Sequence, residues 1–138
     1  KITKRGSELL ANPTQLLNTL VPFFILKMDH SSYSRSSEQP FGKWDVWLNV
    51  LNVEIENAAT EVELYKVFYG PLSDGPMAWR ATSGFYCCVL RPLCWAGVLL
   101  EHWDQGSKRS EAVYLKTPLW AAWLQLDTDN IVQPAQRH

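Results

Sequence analysis

The stretch VLLEHWDQGSKRSEAVYLK, residues 98–116, limits the available folds more than any other part of the chain. Two short runs rich in β-branched, aromatic and leucine side chains flank a polar segment holding Gly106, the pattern of two antiparallel strands joined by a turn. A lone two-stranded ribbon is marginal in water. This one therefore needs a helical layer to cover its apolar face, and the residues on either side supply it. Immediately after the second strand, Thr117 is placed to cap a helix with Pro118 at its first position, where the missing N–H costs nothing. Leu119, Trp120, Trp123 and Leu124 give that closing helix its apolar contacts.

Upstream, KWDVWLNVLNVEIENAAT reads as one long helix over residues 43–60. Trp44, Trp47, Leu48, Leu51, Ile55 and Ala58 form an apolar stripe opposite Asp45, Asn49, Asn52 and Glu56. Val46, Val50 and Val53 widen the stripe, which predicts a central helix buried on more than one side. Thr60 and Glu63 have capping-box spacing in TEVE, starting a short helix with Leu64, Val67 and Phe68 inward. GPLSDGP stops it. Residues 77–96 are helical again, weakened by Gly84, bent by Pro92 and ended by Gly97.

The N-terminal part is simpler. Thr3 caps a helix ending before Asn12, and Asn12 caps a second with Pro13 at its first position. In that helix Leu16, Leu17, Leu20, Phe23 and Phe24 recur at helical spacing, with Pro22 kinking or ending it. Residues 30–42, with five serines between positions 31 and 37, read as a connection. The expected organisation is a helical segment and serine-rich connection over 1–42, a folded domain over 43–126, and an irregular tail over 127–138.

In order, helix, short helix, turn, longer helix, hairpin with a charged tip and closing helix resemble the winged-helix variant of helix-turn-helix domains over residues 43–126. KITKRGSELL resembles the join that follows the wing in many such domains, which implies the end of a preceding unit and a chain cut from a longer protein. More weakly, this opening is similar to tails of plasmid-encoded and transposon-associated bacterial proteins of undefined function. The fold class expected is mainly α with one β-hairpin, winged-helix-like and preceded by a helical segment.

The resemblance implies a helix over residues 80–95 entering a major groove, with Arg80, Ser83 and Arg91 as candidate DNA contacts and Lys108 and Arg109 of the wing on phosphate. Charge argues otherwise. The whole chain carries 13 Lys and Arg against 14 Asp and Glu. Residues 60–126 balance six of each sign, a poor footprint for a polyanion. GFYCCVLRPLCWAG also offers few side chains that read base edges.

Of seven tryptophans, Trp44, Trp47, Trp120 and Trp123 belong to core stripes. Trp79, Trp95 and Trp103 do not, and are the candidate interface residues, because exposed tryptophan is enriched at hot spots. Cys87, Cys88 and Cys94 fall in one apolar stretch without metal-ligand spacing, and read as small buried residues in a reducing bacterial cytoplasm. His30 has no visible partner. No catalytic residue, metal, cofactor, membrane or small-molecule site is assigned. The functional expectation is a non-enzymatic recognition module that contacts a protein or a second copy of itself. A DNA-binding, transcription-regulator-like domain comes next, and a fragment of an enzyme last.

Overall fold

The computed structural model describes residues 2–33 and 39–132. It is mainly helical with one small antiparallel sheet. The N-terminal arm is α1 (Lys4–Ala11) and α2 (Pro13–Leu26), which meet at 114°. Both caps form as the sequence implies: Thr3 Oγ1 accepts from the Gly6 amide at 3.1 Å, and Asn12 Oδ1 from the Gln15 amide at 3.2 Å. Helix α2 runs through Pro22 to Leu26 without ending there. Part of the serine-rich connection, residues 34–38, lies outside the described residues.

The long helix expected over 43–60 is shorter. Helix α3 spans Trp44–Glu54, and Ala59–Thr60 form strand β1. The chain turns at Ala58, whose φ of 66° takes it out of the helix. A left-handed alanine costs roughly 1 kcal/mol. Burial of Ala59 and its pairing with Tyr114 offset that cost. Val46 and Val53, expected to widen the buried face, are exposed, as is Val67 of the next helix.

Helix α4 (Glu61–Tyr69) opens on a complete capping box: Glu63 accepts from the Thr60 amide at 2.8 Å, and Thr60 Oγ1 from the Glu63 amide. The expected bent helix is α5 (Ala78–Phe85), a π-helical turn (Tyr86–Leu90) and α6 (Arg91–Trp95) in continuous succession. The widened turn stands just ahead of Pro92, the residue that cannot donate to the preceding helix.

Strands β2 (Leu99–His102) and β3 (Val113–Lys116) pair antiparallel with Leu99 opposite Lys116 and His102 opposite Val113. Strand β1 pairs on the other side of β3, Ala59 opposite Tyr114, so the expected hairpin is part of a three-stranded sheet ordered β1-β3-β2. Helix α7 (Pro118–Trp123) closes the fold. Thr117 stands at its cap position, but its hydroxyl donates to the Gly97 carbonyl at 2.6 Å, tying the start of α7 to the end of α6.

Leu51 and Ile55 of α3, Leu64 of α4, Phe85, Val89, Leu90 and Leu93 of the α5–α6 run, and Val98 and Tyr114 of the sheet region fill one core. Ile25 of α2 belongs to it as well, so the N-terminal arm is docked on the domain. Trp47 and Trp120 are buried, with Trp44 and Trp123 packed at the margin. The segment expected to be an irregular tail is held in place. Asn49 accepts from the Thr128 amide at 3.1 Å, and Asn52 donates to Asp129 at 2.9 Å. Residues 133–138 lie outside the described residues. Among the described residues no single helix is long and apolar enough to cross a membrane; α1 and α2 meet those criteria only as a bent pair.

Candidate functional site

The tip between β2 and β3 is where a wing would meet a ligand, and the fold uses its arginine internally. Arg109 opens a short 3₁₀ turn (Arg109–Glu111) whose last amide, Glu111, donates back to the Lys108 carbonyl at 2.9 Å. That turn aims the guanidinium at the first turn of α4. Arg109 Nη1 donates to Glu61 Oε2 at 3.0 Å and lies 3.8 Å from Glu101 Oε1. Its guanidinium carbon sits 3.9 Å from the centre of the Tyr86 ring. Tyr114 donates to Glu101 at 2.9 Å, so helix α4, the π-helical turn, both long strands and the tip meet in one polar cluster.

Burial of Glu61 pushes its carboxyl above the usual range, and the Arg109 charge draws it partly back. Burial, with Glu101 and Glu61 nearby, raises the Tyr114 hydroxyl strongly, so it stays a donor. The cluster is a clamp that holds the tip against the helices.

The other residues expected to contact DNA are not gathered around it. Lys108 is exposed beside Arg109, while Arg80 and half-buried Ser83 lie on α5. Arg91 begins α6, with its guanidinium 4.8 Å from the Trp95 ring centre and 5.9 Å from that of Tyr86. Arg80 lies over Trp79 at 5.8 Å. Each arginine named as a phosphate or base contact thus rests on an aromatic face.

Trp79, Trp95 and Trp103 are exposed, as the interface expectation requires. They do not form one patch. Sixteen helical residues separate Trp79 from Trp95, roughly 24 Å along the axis, and Trp103 follows β2. Trp95 adjoins further exposed apolar surface. Its ring centre is 6.2 Å from that of Phe24 on α2, and the two line an open groove of about 500 Å³ with Val21, Met28 and Ala96. On its other side α2 borders a second groove of about 320 Å³, shared with Leu48, Val98 and Trp123.

The sequence reading missed this surface. Its signal was present, since residues 9–26 carry no charge and Leu16, Leu20 and Phe23 repeat at i, i+4, i+7 on the side of α2 opposite buried Ile25. A helix apolar on two faces needs two covers. The domain supplies one.

His30, read as unpartnered, is buried with Nε2 2.7 Å from the Phe24 carbonyl, and edge-on to Phe24 and Trp44 at 5.0 and 6.5 Å between centres. It anchors the end of the arm. Cys87 and Cys88 are buried, and Cys94 is half-buried. Burial pushes the Cys88 thiol up to about 11 and that of Cys94 up to about 12, which leaves them protonated at neutral pH. Among the described residues no group of three His, Cys, Asp or Glu could hold a metal ion.

These features define a mainly helical domain with a three-stranded antiparallel sheet, a clamped tip and an exposed apolar arm. Residues 34–118, more than half of the chain, match the family described as the y4jL C-terminal domain. The chain belongs to that family. No curated protein matches it, and no solved structure does.

Proposed function

We propose that the chain is a non-enzymatic module of the winged-helix type that recognises another protein surface. The winged-helix reading is supported by the succession α3, β1, α4, α5–α6, β2, β3 and by the sheet order β1-β3-β2, which resemble that architecture element by element. In it α4 and the α5–α6 run stand as the helix-turn-helix pair, and residues 103–112 as the wing.

The single observation that carries the choice of ligand is the uncharged outer face of α2 running on to exposed Trp95. A polyanion is held by Lys and Arg free to displace counterions. Here Arg109 is spent on Glu61 and Glu101, and the exposed aromatic surface lies elsewhere. Apolar residues with a tryptophan at their edge are what protein interfaces bury at their centres.

The test is duplex binding against association. By fluorescence anisotropy, random-sequence duplex DNA should show no tight binding at physiological salt, and any weak binding should be indifferent to Lys108→Ala and Arg80→Ala. Association of the protein should survive high salt and weaken on Trp95→Ala. A Kd for duplex that worsens about tenfold for each tenfold rise in salt per phosphate contacted, and again on Lys108→Ala, would replace this reading with DNA recognition.

A further inference from the structure

We propose that the tip and the N-terminal arm are coupled, each helping to hold the other closed, through a row of side chains that the π-helical turn puts in line.

In an α-helix a side chain faces those three and four positions away, and the residue five positions away points elsewhere. The π-helical turn closes its hydrogen bond over five positions, the Arg91 amide donating to the Tyr86 carbonyl, which brings these two residues onto one side. Arg91 accordingly lies over the Tyr86 ring, 5.9 Å from its centre. Helix α6 then resumes the ordinary spacing, and the same guanidinium meets Trp95, four positions on, at 4.8 Å. With an unbroken α-helix Arg91 would reach Trp95 but not Tyr86. Pro92 makes the widening inexpensive, because it has no amide to give to the Cys88 carbonyl.

Both ends of the row are anchored. At the tip, Arg109 lies over the same Tyr86 ring at 3.9 Å and donates to Glu61 at 3.0 Å. The Tyr86 hydroxyl donates to Glu101 at 3.5 Å. Two arginines on one ring repel each other, and Glu61 and Glu101 at the Arg109 end offset that repulsion. At the arm, Trp95 lies 6.2 Å from Phe24 of α2, whose carbonyl is 2.7 Å from Nε2 of buried His30. Phe24, Trp95, Arg91, Tyr86, Arg109 and Glu61 thus form a continuous series of contacts from the arm to α4. Lifting the arm removes Phe24 from Trp95, loosens the guanidinium resting on that indole, and leaves the ring under Arg109 less firmly placed. By linkage, whatever draws Arg109 off Tyr86 loosens the arm to the same degree.

The test uses the full chain. Native-state hydrogen exchange followed by NMR reads the tip through the Glu111 and Ala112 amides, which donate to the Lys108 and Arg109 carbonyls at 2.9 Å, and the arm through the Lys27 amide, which donates to Phe23 at 2.9 Å. Trp95→Ala, at the arm end of the row, should speed exchange of both tip amides about 3-fold or more, within the range that coupled side chains span. Arg109→Ala should speed the Lys27 amide by a similar factor. Leu124→Ala, which loosens the core outside the row, should leave the tip at its wild-type rate. In urea unfolding, Trp95→Ala and Arg109→Ala together should fall short of additivity by about 3-fold or more in the equilibrium constant, although Tyr86 and Arg91 stand between the two positions. Arg91→Met keeps the stem and removes the cation, and in its background the two changes should become additive.

Tip amides that ignore Trp95→Ala, or strict additivity with Arg91 in place, overturn the proposal. A tip that responds to Leu124→Ala as much as to Trp95→Ala refutes the row as the route, since general loss of stability then accounts for the effect. Non-additivity that persists in Arg91→Met refutes it too. Should Arg91→Met fail to fold, the Trp95→Ala and Arg109→Ala measurements decide alone.

Discussion

Replacing Asn52 by alanine should be among the most damaging single changes in the chain, although Asn52 touches no candidate ligand surface. Its side chain is buried on α3, and the amide is oriented by its neighbours. Trp120 Nε1 can only donate, and does so to Asn52 Oδ1 at 2.9 Å. That leaves Nδ2 to donate to Thr128 Oγ1 at 3.0 Å and to Asp129 Oδ1 at 2.9 Å. The Asn52 carbonyl takes a further bond from Lys116 Nζ at 2.7 Å. One residue therefore joins α3 to β3, α7 and the C-terminal turn.

In Asn52→Ala the Trp120 N–H is left buried without an acceptor, at about 1–3 kcal/mol. The lost bonds to Thr128 and Asp129 are partly exposed and add about 1 kcal/mol. The small void adds about 1 kcal/mol. A total of about 3–5 kcal/mol is a large share of a total stability of roughly 5–15 kcal/mol, and should lower the thermal midpoint by roughly 10 °C or more. Urea unfolding followed by circular dichroism measures it. In a double-mutant cycle with Trp120→Phe, which removes the donor as well, the second change should cost roughly 1 kcal/mol less in the Asn52→Ala background than in wild type. A cost for Asn52→Ala below about 1 kcal/mol, or strict additivity with Trp120→Phe, would refute the network as described.

Arg109→Ala should destabilise the protein by roughly 1–2 kcal/mol at neutral pH, less than the 3–5 kcal/mol of a fully buried pair because the arginine is part-exposed; exposed Lys108→Ala should stay within about 0.5 kcal/mol. The Glu61 carboxyl is raised by burial, so its protonated form favours the fold: that contribution is complete below its ordinary value and is lost as pH rises through the folded one. Without Arg109 the folded value climbs further, so the gap between Arg109→Ala and wild type should narrow on acidification; a gap that widens toward acid pH, in urea melts across a pH series, contradicts the clamp. Gly97→Ala should cost about 1 kcal/mol, since φ is 79° there while an added Cβ would meet only Leu119 at an ordinary 3.5 Å; a neutral effect on the thermal midpoint would mean that the α6–β2 corner does not depend on that backbone conformation.

What was legible in the sequence was local. The Thr60–Glu63 capping box, the Asn12–Pro13 start of α2 and the paired runs on either side of Gly106 announce themselves within a few residues, because the contacts that make them are only a few residues apart. Strand β1 was not legible. Ala59–Thr60 is too short for a period, and it is a strand only because Tyr114 and Val113 pair with it from across the fold. The end of α3 was hidden for the same reason: the turn at Ala58 has no glycine or proline to announce it, and the pairing that follows is long-range. His30 looked idle because its partners, the Phe24 carbonyl and the Trp44 ring, are set by how α2 docks.

The same distinction governs the site. Lys108 and Arg109 look alike in sequence, a basic pair on a polar turn. The fold separates them, because Glu61, 48 positions earlier, is brought under the turn by β1 pairing beside β3 and starting α4 there. Sequence could count the charges at the tip but not subtract the one already neutralised. For α2 the sequence shows apolar repeats at helical spacing but not which of them the domain covers. One side, through Ile25 and Phe24, packs on the core. The second side is apolar as well, and its Leu20 and Phe23 stay exposed among the described residues. A tip whose arginine is paired with Glu61 and an arm whose leucines are exposed are the two features on which the proposed preference for a protein surface over phosphate rests.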